Sequence, residues 1–173
     1  MDVKKAIEER KSIRAYQDKM VSQEDINEII GAARLAPTAC NSQPQRFKII
    51  AKKEDKQILR MNKIFKQDFV YNAPVILICI ADVNQASKFY KNIATQPLVQ
   101  WATRDATIAS SFAVLRAHEL GLGTCFIGLF DKEKINEVLN LPRHYEVVFA
   151  ITIGYPAEEG GERSREPVER FFV

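Results

Sequence analysis

The chain has 173 residues, of which 46% are hydrophobic, and its 25 Lys and Arg residues stand against 22 Asp and Glu, a net charge of +3. A chain of this size is expected to form one domain, residues 1–173, that buries roughly 70% of the surface exposed by the unfolded chain. Because the charges are scattered and the excess is small, the composition argues against a protein that binds nucleic acid.

The distribution of apolar residues and cysteines indicates a cytoplasmic protein. Residues 1–10 carry charges where a secretory signal needs an uninterrupted apolar stretch. The longest apolar run, from Ala73 to Ala81, has nine residues, well short of the roughly 20 that cross a membrane. Three cysteines without a C-x-x-C pair argue against a disulfide framework. We therefore expect reduced thiols and no membrane partner.

The first third of the chain is predicted to be mainly helical. Apolar residues at helical spacing predict one helix that ends near Arg10 and a second that ends near Leu35. Ser22, three residues before a carboxylate, resembles a capping box at the start of the second helix. Residues 36–44 contain two prolines and small polar residues, which favours an irregular loop. A strand is expected over residues 47–51.

The middle of the chain alternates between helix and strand. A helix is expected over residues 58–65, followed by a strand over residues 74–81 that is covered on both faces and is therefore central. Residues 85–103 mix aromatic and polar residues, which indicates a partly exposed helical segment that could act as a lid. A long buried helix ending at Gly121 is predicted from three apolar positions. These are Ile108, Phe112 and Leu115.

The last third predicts two more strands around a capped helix. Residues 123–128 are expected to be extended, Asp131 to cap a helix that ends before Pro142, and residues 147–153 to form a strand. The Gly-rich phosphate fingerprints of doubly wound folds are missing. Because the opening third is mainly helical and the rest alternates, we predict the α+β class.

Two basic clusters are candidates for holding a phosphate. Residues 10–14 place three cations and a hydroxyl just beyond a helix, and Arg163 and Arg165 flank a hydroxyl near the C-terminus. Guanidinium forks and hydroxyls bind phosphate well. The two clusters would meet on one phosphate if the termini lie close together. The alternative is a solvated basic turn and a charged tail that only confers solubility.

The loop over residues 37–44 is a candidate for binding the edge of a polar ring. Its side-chain amides and hydroxyls lie on a backbone stiffened by two prolines. The alternative is a connector whose polar side chains satisfy only their own backbone. The polar residues concerned are Thr38, Asn41, Ser42 and Gln43.

Taken together, the chain resembles the nitroreductase family over nearly its whole length. Six segments carry the resemblance, in the order and spacing of the family. They are Arg10-Lys11-Ser12-Ile13-Arg14, residues 36–44 (APTACNSQP), Ala73-Pro74-Val75, residues 121–128 (GLGTCFIG), Gly154-Tyr155-Pro156 and Arg163-Ser164-Arg165-Glu166-Pro167. Cys40 stands where the family more often has Ser or Thr, so this position offers a thiol in place of a hydroxyl. Ile127 stands where some members have Glu.

The resemblance implies a central, mostly antiparallel mixed sheet flanked by helices. It also implies a homodimer in which the C-terminal tail reaches across the partner and flavin mononucleotide (FMN) lies between the subunits. The FMN phosphate would be held by one set of residues, and Arg14 would approach the N1 and O2 edge of the flavin ring. The phosphate set is Arg10, Ser12 and Arg165, with Lys11 and Arg163 nearby.

The resemblance also implies contacts to the ring and to the substrate. The opposite subunit would supply residues Pro37, Thr38, Ala39 and Asn41, with Gln43 close behind them. The backbone amides of Ile127 and Gly128 would face flavin N5 and O4. Phe89 and Tyr90 would form an aromatic wall that binds substrate, although ordinary core packing is the alternative for these rings and for Trp101.

The function that the resemblance implies is an FMN-dependent oxidoreductase. NADH or NADPH would reduce the flavin, and a small-molecule electron acceptor such as a nitroarene or a quinone would then take its place in a ping-pong mechanism. The alternatives are a flavin-binding or regulatory protein without turnover, a reductive dehalogenase, or an enzyme that consumes flavin. No metal is implied.

Overall fold

The computed structural model describes residues 2–173, which form a four-stranded sheet with helices on both faces. The strand order is β1-β2-β4-β3, and all three strand pairs are antiparallel. The strands are β1 (Gln45–Ile50), β2 (Val75–Asp82), β3 (Gly123–Ile127) and β4 (Tyr145–Gly154). Parallel pairing, expected from a mixed sheet, is reduced among the described residues to an isolated bridge between Ser12 and Thr124.

Seven α-helices accompany the sheet in residues 2–173. They are α1 (Val3–Glu9), α2 (Gln23–Arg34), α3 (Lys53–Met61), α4 (Phe69–Asn72), α5 (Val83–Tyr90), α6 (Leu98–Glu119) and α7 (Lys132–Val138). Single turns of 3-10 helix lie at Ala39–Asn41 and Val168–Phe171. No helix in this part of the chain has both the length and the apolar character needed to span a membrane.

The helix ends lie where local side-chain chemistry predicts them. The Ser22 hydroxyl accepts the Asp25 amide at the start of α2, and the Asp131 carboxylate accepts the Lys134 amide at the start of α7. Each contact satisfies an N–H group that the helix itself leaves unpaired. Gly121 follows α6 with a φ of 77°, the left-handed conformation that glycine adopts most easily.

Strand β2 separates two hydrophobic cores. Its alternate residues Val75, Leu77 and Cys79 face α2 and α6, whereas Ile76 and Ile78 face a second cluster that includes residues of α3, α4 and α7. Every residue of β2 is buried, and the strand has β1 and β4 as neighbours. The prediction of a central strand covered on both faces is confirmed.

The buried face of α6 differs from the predicted one. The spacing places Ile108 and Phe112 in the core, but they are 41% and 40% exposed. A row of alanines faces inward instead: Ala102, Ala106, Ala109, Ala113 and Ala117. Small side chains let α6 lie close to the sheet and to α2, which leaves the larger residues on the outer side. The outer side of α6 therefore exposes two large apolar side chains, Ile108 and Phe112, next to polar residues such as Thr107 and Ser111.

Two further expectations need correction. Phe65 is not helical, because α3 ends at Met61, and its backbone bridges Phe130 instead. Residues 85–103 are not one segment, since α5 ends at Tyr90 and α6 begins at Leu98.

Candidate functional site

The basic segment after α1 is fixed against the edge of the sheet. The Ile13 amide donates to the Thr124 carbonyl at 2.9 Å, and Ser12 bridges the same residue of β3. The Ile13 side chain lies over Gly123, where an added Cβ would come within 2.7–2.9 Å of three Ile13 carbon atoms. The absence of a side chain at position 123 is thus what allows the basic segment to lie against β3.

Gly123→Ala is therefore expected to destabilise the protein by about 1 to 3 kcal/mol, because Ile13 must move away from the sheet. Gly31→Ala is the matched control, since Gly31 lies inside α2 and a Cβ added there would have nothing within 4 Å. That change should stabilise by about 0.5 to 1 kcal/mol. Urea unfolding measures both, and equal stability of Gly123→Ala and the parent would contradict the proposed contact.

The C-terminal tail returns to the end of α1. The Arg163 guanidinium donates to the carbonyls of Arg10 at 2.7 Å, Glu8 at 3.0 Å and Ile7 at 3.1 Å. These carbonyls lie at the C-terminal end of α1, where the helix leaves acceptors unpaired and a cation is favoured. Arg163 therefore has a structural role in this chain, and it brings the two predicted basic clusters together.

The meeting of these clusters concentrates positive charge around Arg10. The pKa of Arg10 is lowered, first by partial burial and then by the guanidinium groups of Arg163 and Arg165. In residues 2–173, none of Arg10, Arg14 and Arg165 forms an ion pair with a carboxylate. Glu158 is close, but its carboxylate accepts the backbone amides of Arg14 at 2.5 Å and Ala15 at 3.3 Å. Such a set of cations favours an anionic ligand.

Tyr16 and Cys125, which the sequence does not predict as site residues, lie on the buried side of the basic segment. The Tyr16 hydroxyl donates to the Ile13 carbonyl at 2.6 Å and lies 2.7 Å from the Thr152 hydroxyl of β4. Burial raises the pKa of the Cys125 thiol, although Arg14 and the Ser12 hydroxyl oppose this effect. Cys125 is thus a neutral thiol beside the basic cluster, and only the folded arrangement could reveal it.

The loop between α2 and β1 has an unusual backbone. Cys40, Asn41 and Gln43 have φ values of 51°, 53° and 50°, in the left-handed region that residues other than glycine rarely adopt. Each such residue costs about 1 kcal/mol or more. Within the loop, the Gln43 amide donates to the Thr38 hydroxyl at 3.1 Å, and the Gln43 side chain reaches the Asn41 carbonyl at 3.3 Å. The polar side chains therefore satisfy part of the loop's own backbone, as the alternative to a ligand-binding role predicts. The left-handed residues nevertheless leave the backbone strained.

A buried carboxylate on α6 holds this loop from below. Asp105 is 5% exposed, and its two oxygens each lie 3.1 Å from the Ala39 amide, which donates to them. The Ser42 hydroxyl also donates to Asp105, at 3.2 Å. Burial raises the pKa of Asp105, and the contacts with Ala39 and Ser42 oppose the rise. Asp105 is not among the predicted site residues, because nothing in the sequence links α6 to the loop.

The remaining predicted residues lie at different depths. Ile127 ends β3 and is buried, whereas Gly128 is exposed. β3 is an edge strand, so backbone groups along one side are free of a neighbouring strand beyond the bridge at Ser12. Phe89 is 48% exposed. Tyr90 is only 1% exposed and its ring contacts Trp101, 5.3 Å between centroids, so the tyrosine ring faces the interior of this chain.

The two groups of predicted site residues lie beside different parts of α6. The loop contacts Asp105 in the first half of the helix. Arg10 lies beside His118 near its end, where the two residues line one cavity. Burial lowers the pKa of His118, and the Arg10 guanidinium adds to this effect. The distance along the helix axis from Asp105 to His118 is about 20 Å. Within one chain, the phosphate cluster and the loop are therefore well separated.

Known proteins have similar sequences over nearly the whole chain. The sequence profile of the nitroreductase family matches residues 7–66 and 61–155. An NADH dehydrogenase of Thermus thermophilus is 31% identical over 197 residues, covering 100% of this chain and 96% of that protein. An FMN reductase (NAD(P)H) of Bacillus subtilis is 32% identical over 179 residues, covering 97% of this chain and 71% of that protein.

Solved structures share the fold. A nitroreductase family protein of Clostridium difficile 630 superimposes with a TM-score of 0.85 at 26% identity, covering 100% of this chain and 98% of that one. A structure from Exiguobacterium sibiricum in complex with FMN has a TM-score of 0.91 at 22% identity, covering 100% and 97%. These likenesses confirm the predicted α+β, nitroreductase-like fold. By sequence profile and by its relatives, the chain belongs to the nitroreductase family.

Proposed function

We propose that the protein is an FMN-dependent oxidoreductase that uses NADH or NADPH, and that it acts as a homodimer with the flavin between its subunits. The observation that carries the shared site is a separation within one chain. The loop at residues 37–44 and the phosphate cluster around Arg10 lie about 20 Å apart along α6. A second copy of the chain would bring its own loop to the phosphate cluster of the first. The exposed apolar face formed by Ile108 and Phe112 is the surface on which we expect the copies to meet.

The phosphate of FMN fits the residues around Arg10. Arg10, Ser12 and Arg165 would hold it, with Lys11 adjacent, and the cations there have no carboxylate partner in residues 2–173. A phosphate supplies the negative charge that this cluster lacks, and arginine can bind it with two parallel hydrogen bonds. Arg163 would act indirectly, because its guanidinium is already bound to the end of α1.

The ring of FMN would be positioned by residues at the edge of the sheet and by the partner's loop. When bound, FMN supplies the chemistry of hydride transfer. The Arg14 guanidinium would stabilise negative charge at the N1 and O2 edge, and the amides of Ile127 and Gly128 would orient the N5 and O4 edge. Pro37, Thr38, Ala39, Asn41 and Gln43 of the partner subunit would close the opposite side.

The acceptors that we propose are nitroarenes and quinones, which are planar and stack on aromatic or flat surfaces. Phe89 is exposed and available for such a contact. For Tyr90, the buried position makes a supporting role beneath the surface more consistent with the structure than direct contact. The reductant and the acceptor would use the same open space in turn, which predicts ping-pong kinetics.

Anaerobic addition of NADH to the purified, FMN-loaded protein tests the proposed activity. We expect rapid loss of the yellow colour, followed by its return when a quinone is added. NADPH is tried in parallel, since either nucleotide satisfies the proposal. A protein that stays yellow with both would instead be a flavin-binding or regulatory protein without turnover, and the proposed activity would be wrong.

The bound flavin is expected to be FMN rather than FAD, because the cluster around Arg10 offers one phosphate site and the chain has no Gly-rich loop for a diphosphate. Release of the cofactor by heat, followed by chromatography against both standards, identifies it. Recovery of FAD, or failure to bind FMN after reconstitution, would overturn the assignment.

A further inference from the structure

We propose that Asp105 is a positioning residue, which holds the loop at residues 38–43 in the conformation that closes the flavin pocket of the partner subunit. The role of the loop in the flavin pocket rests on the proposed function. Its geometric part, the attachment of the loop to α6, stands on contacts within one chain.

The contacts of Asp105 reach both ends of the strained turn. Its carboxylate accepts hydrogen bonds from the Ala39 amide, which precedes Cys40, and from the Ser42 hydroxyl, which follows Asn41. Two of the three left-handed residues of the loop, Cys40 and Asn41, lie between these two attachment points. A loop with this backbone relaxes unless contacts from outside hold it. Asp105 supplies such contacts from the longest helix of the fold, which is a rigid support.

Other contacts extend the attachment to α5. The Gln85 side chain donates to the Ser42 carbonyl at 3.0 Å, so both the hydroxyl and the backbone of Ser42 are held. The buried Tyr90 lies near the same group. Burial raises the pKa of its hydroxyl, Ser42 opposes the rise, and Asp105 and Cys40 add to it. Ser42 itself has no exposed surface. This group of side chains therefore lies beneath the loop and leaves its outer surface free.

The outer surface carries the residues expected to contact flavin. Pro37 and Asn41 are exposed, and Thr38 and Ala39 are partly so. None of the contacts made by Asp105 uses a side chain of these four residues, because it bonds the backbone of Ala39 and the hydroxyl of Ser42. Asp105 would thus act on FMN binding only through the shape of the loop, without touching the cofactor.

A pair of matched substitutions separates this role from general stability. Ser42→Ala removes the hydroxyl that bonds Asp105, whereas Ser110→Ala removes a hydroxyl that bonds the Ala106 carbonyl within α6. Both serines are fully buried. If Asp105 positions the loop, Ser42→Ala should weaken FMN binding about fivefold to tenfold, whereas Ser110→Ala should leave it within about twofold of the parent.

Asp105→Asn provides a second test that keeps the size of the side chain. The amide can still accept the Ala39 N–H with its oxygen, but it loses the charge and one acceptor, so we expect a loss of FMN affinity similar to that of Ser42→Ala. Hydrogen exchange of the flavin-free proteins is the second readout. The amides of residues 39–43 should exchange about tenfold faster in both variants, with no change in the second half of α6.

The outcomes distinguish failure of this inference from failure of the proposed function. If the parent does not bind FMN, the proposed function is wrong, and the exchange data alone decide whether Asp105 holds the loop. If the parent binds FMN and both variants bind it as Ser110→Ala does, the positioning role is overturned. The same holds if the loop amides exchange at the rate of the parent. Faster exchange together with weaker FMN binding in both variants supports it.

Discussion

Ile108→Asp is expected to convert the proposed homodimer into a monomer that has lost its colour. Ile108 is 41% exposed on the outer face of α6, one helical turn from the similarly exposed Phe112. An aspartate there would bury an unpaired charge where two apolar faces meet, which should weaken association by about 2 kcal/mol or more, roughly thirtyfold. Light scattering and the flavin absorbance should fall together as the protein is diluted.

Ile58→Asp is the control for this experiment. Ile58 is a helical isoleucine of similar exposure, and its helix, α3, packs on the other face of the sheet from α6. It should leave both the dimer and the colour unchanged. Ala109 is unsuitable for such a test. It has no exposed surface and lies in the core between α6 and the sheet, so a charge there would unfold the chain. A folded Ile108→Asp monomer with the FMN affinity of the parent would contradict the account.

Arg165→Ala is expected to weaken FMN binding about tenfold to a hundredfold, because a charge-assisted contact to phosphate contributes roughly 1.5 to 3 kcal/mol. Arg165 is exposed, and its one hydrogen bond within residues 2–173 goes to the neighbouring Ser164 carbonyl. The unfolding temperature of the flavin-free protein should therefore not change. Titration with FMN, followed by fluorescence, gives the dissociation constant.

Arg170→Ala is the matched control in the same tail, since Arg170 is exposed and pairs with Glu166 at 3.7 Å. Its FMN affinity should equal that of the parent. Arg163→Ala should behave differently from both, because it removes three hydrogen bonds to the end of α1 and so lowers the stability of the flavin-free protein. An FMN affinity unchanged by Arg165→Ala would refute the role of this residue at the phosphate.

Most of the elements could be predicted because their signals are local. The Ser22 and Asp131 caps and the glycine after α6 each depend on a few neighbouring residues. The continuous apolar run of β2 predicts burial on both faces without knowledge of the neighbours. The helical spacing misplaces the end of α3 at Phe65, whose apolar side chain continues the pattern although its backbone pairs with Phe130.

The buried face of α6 could not be chosen from spacing alone. Large apolar residues and alanines both recur at helical intervals, and only the close approach of α2 and the sheet decides which row faces inward. The large residues predict the wrong row, because a large apolar side chain is usually a sign of burial. In this helix the small side chains are buried because they permit close packing, and the large residues Ile108 and Phe112 lie on the exposed side.

The meeting of the two basic clusters could be predicted from the sequence, whereas the residues that position them could not. Arg10 and Arg163 are expected to meet from the sequence motifs, and they do. Asp105 lies 66 residues from Ala39, and Tyr16 lies 136 residues from Thr152. Contacts of such long sequence separation leave no periodic or spacing signal, so these supporting roles required the folded structure.

Mixed dimers test the shared pocket, which is the central claim, most directly. One chain would carry Arg10→Ala with Arg165→Ala, the other Thr38→Ala with Asn41→Ala, and dimers holding one of each would be isolated with two affinity tags. If the phosphate cluster of one subunit works with the loop of its partner, each mixed dimer regains one intact site. We then expect tight binding of one FMN per mixed dimer, although dimers made of either variant alone bind it weakly. If mixed dimers bind FMN as weakly as the two variants do, the site is built within one chain and the account is wrong.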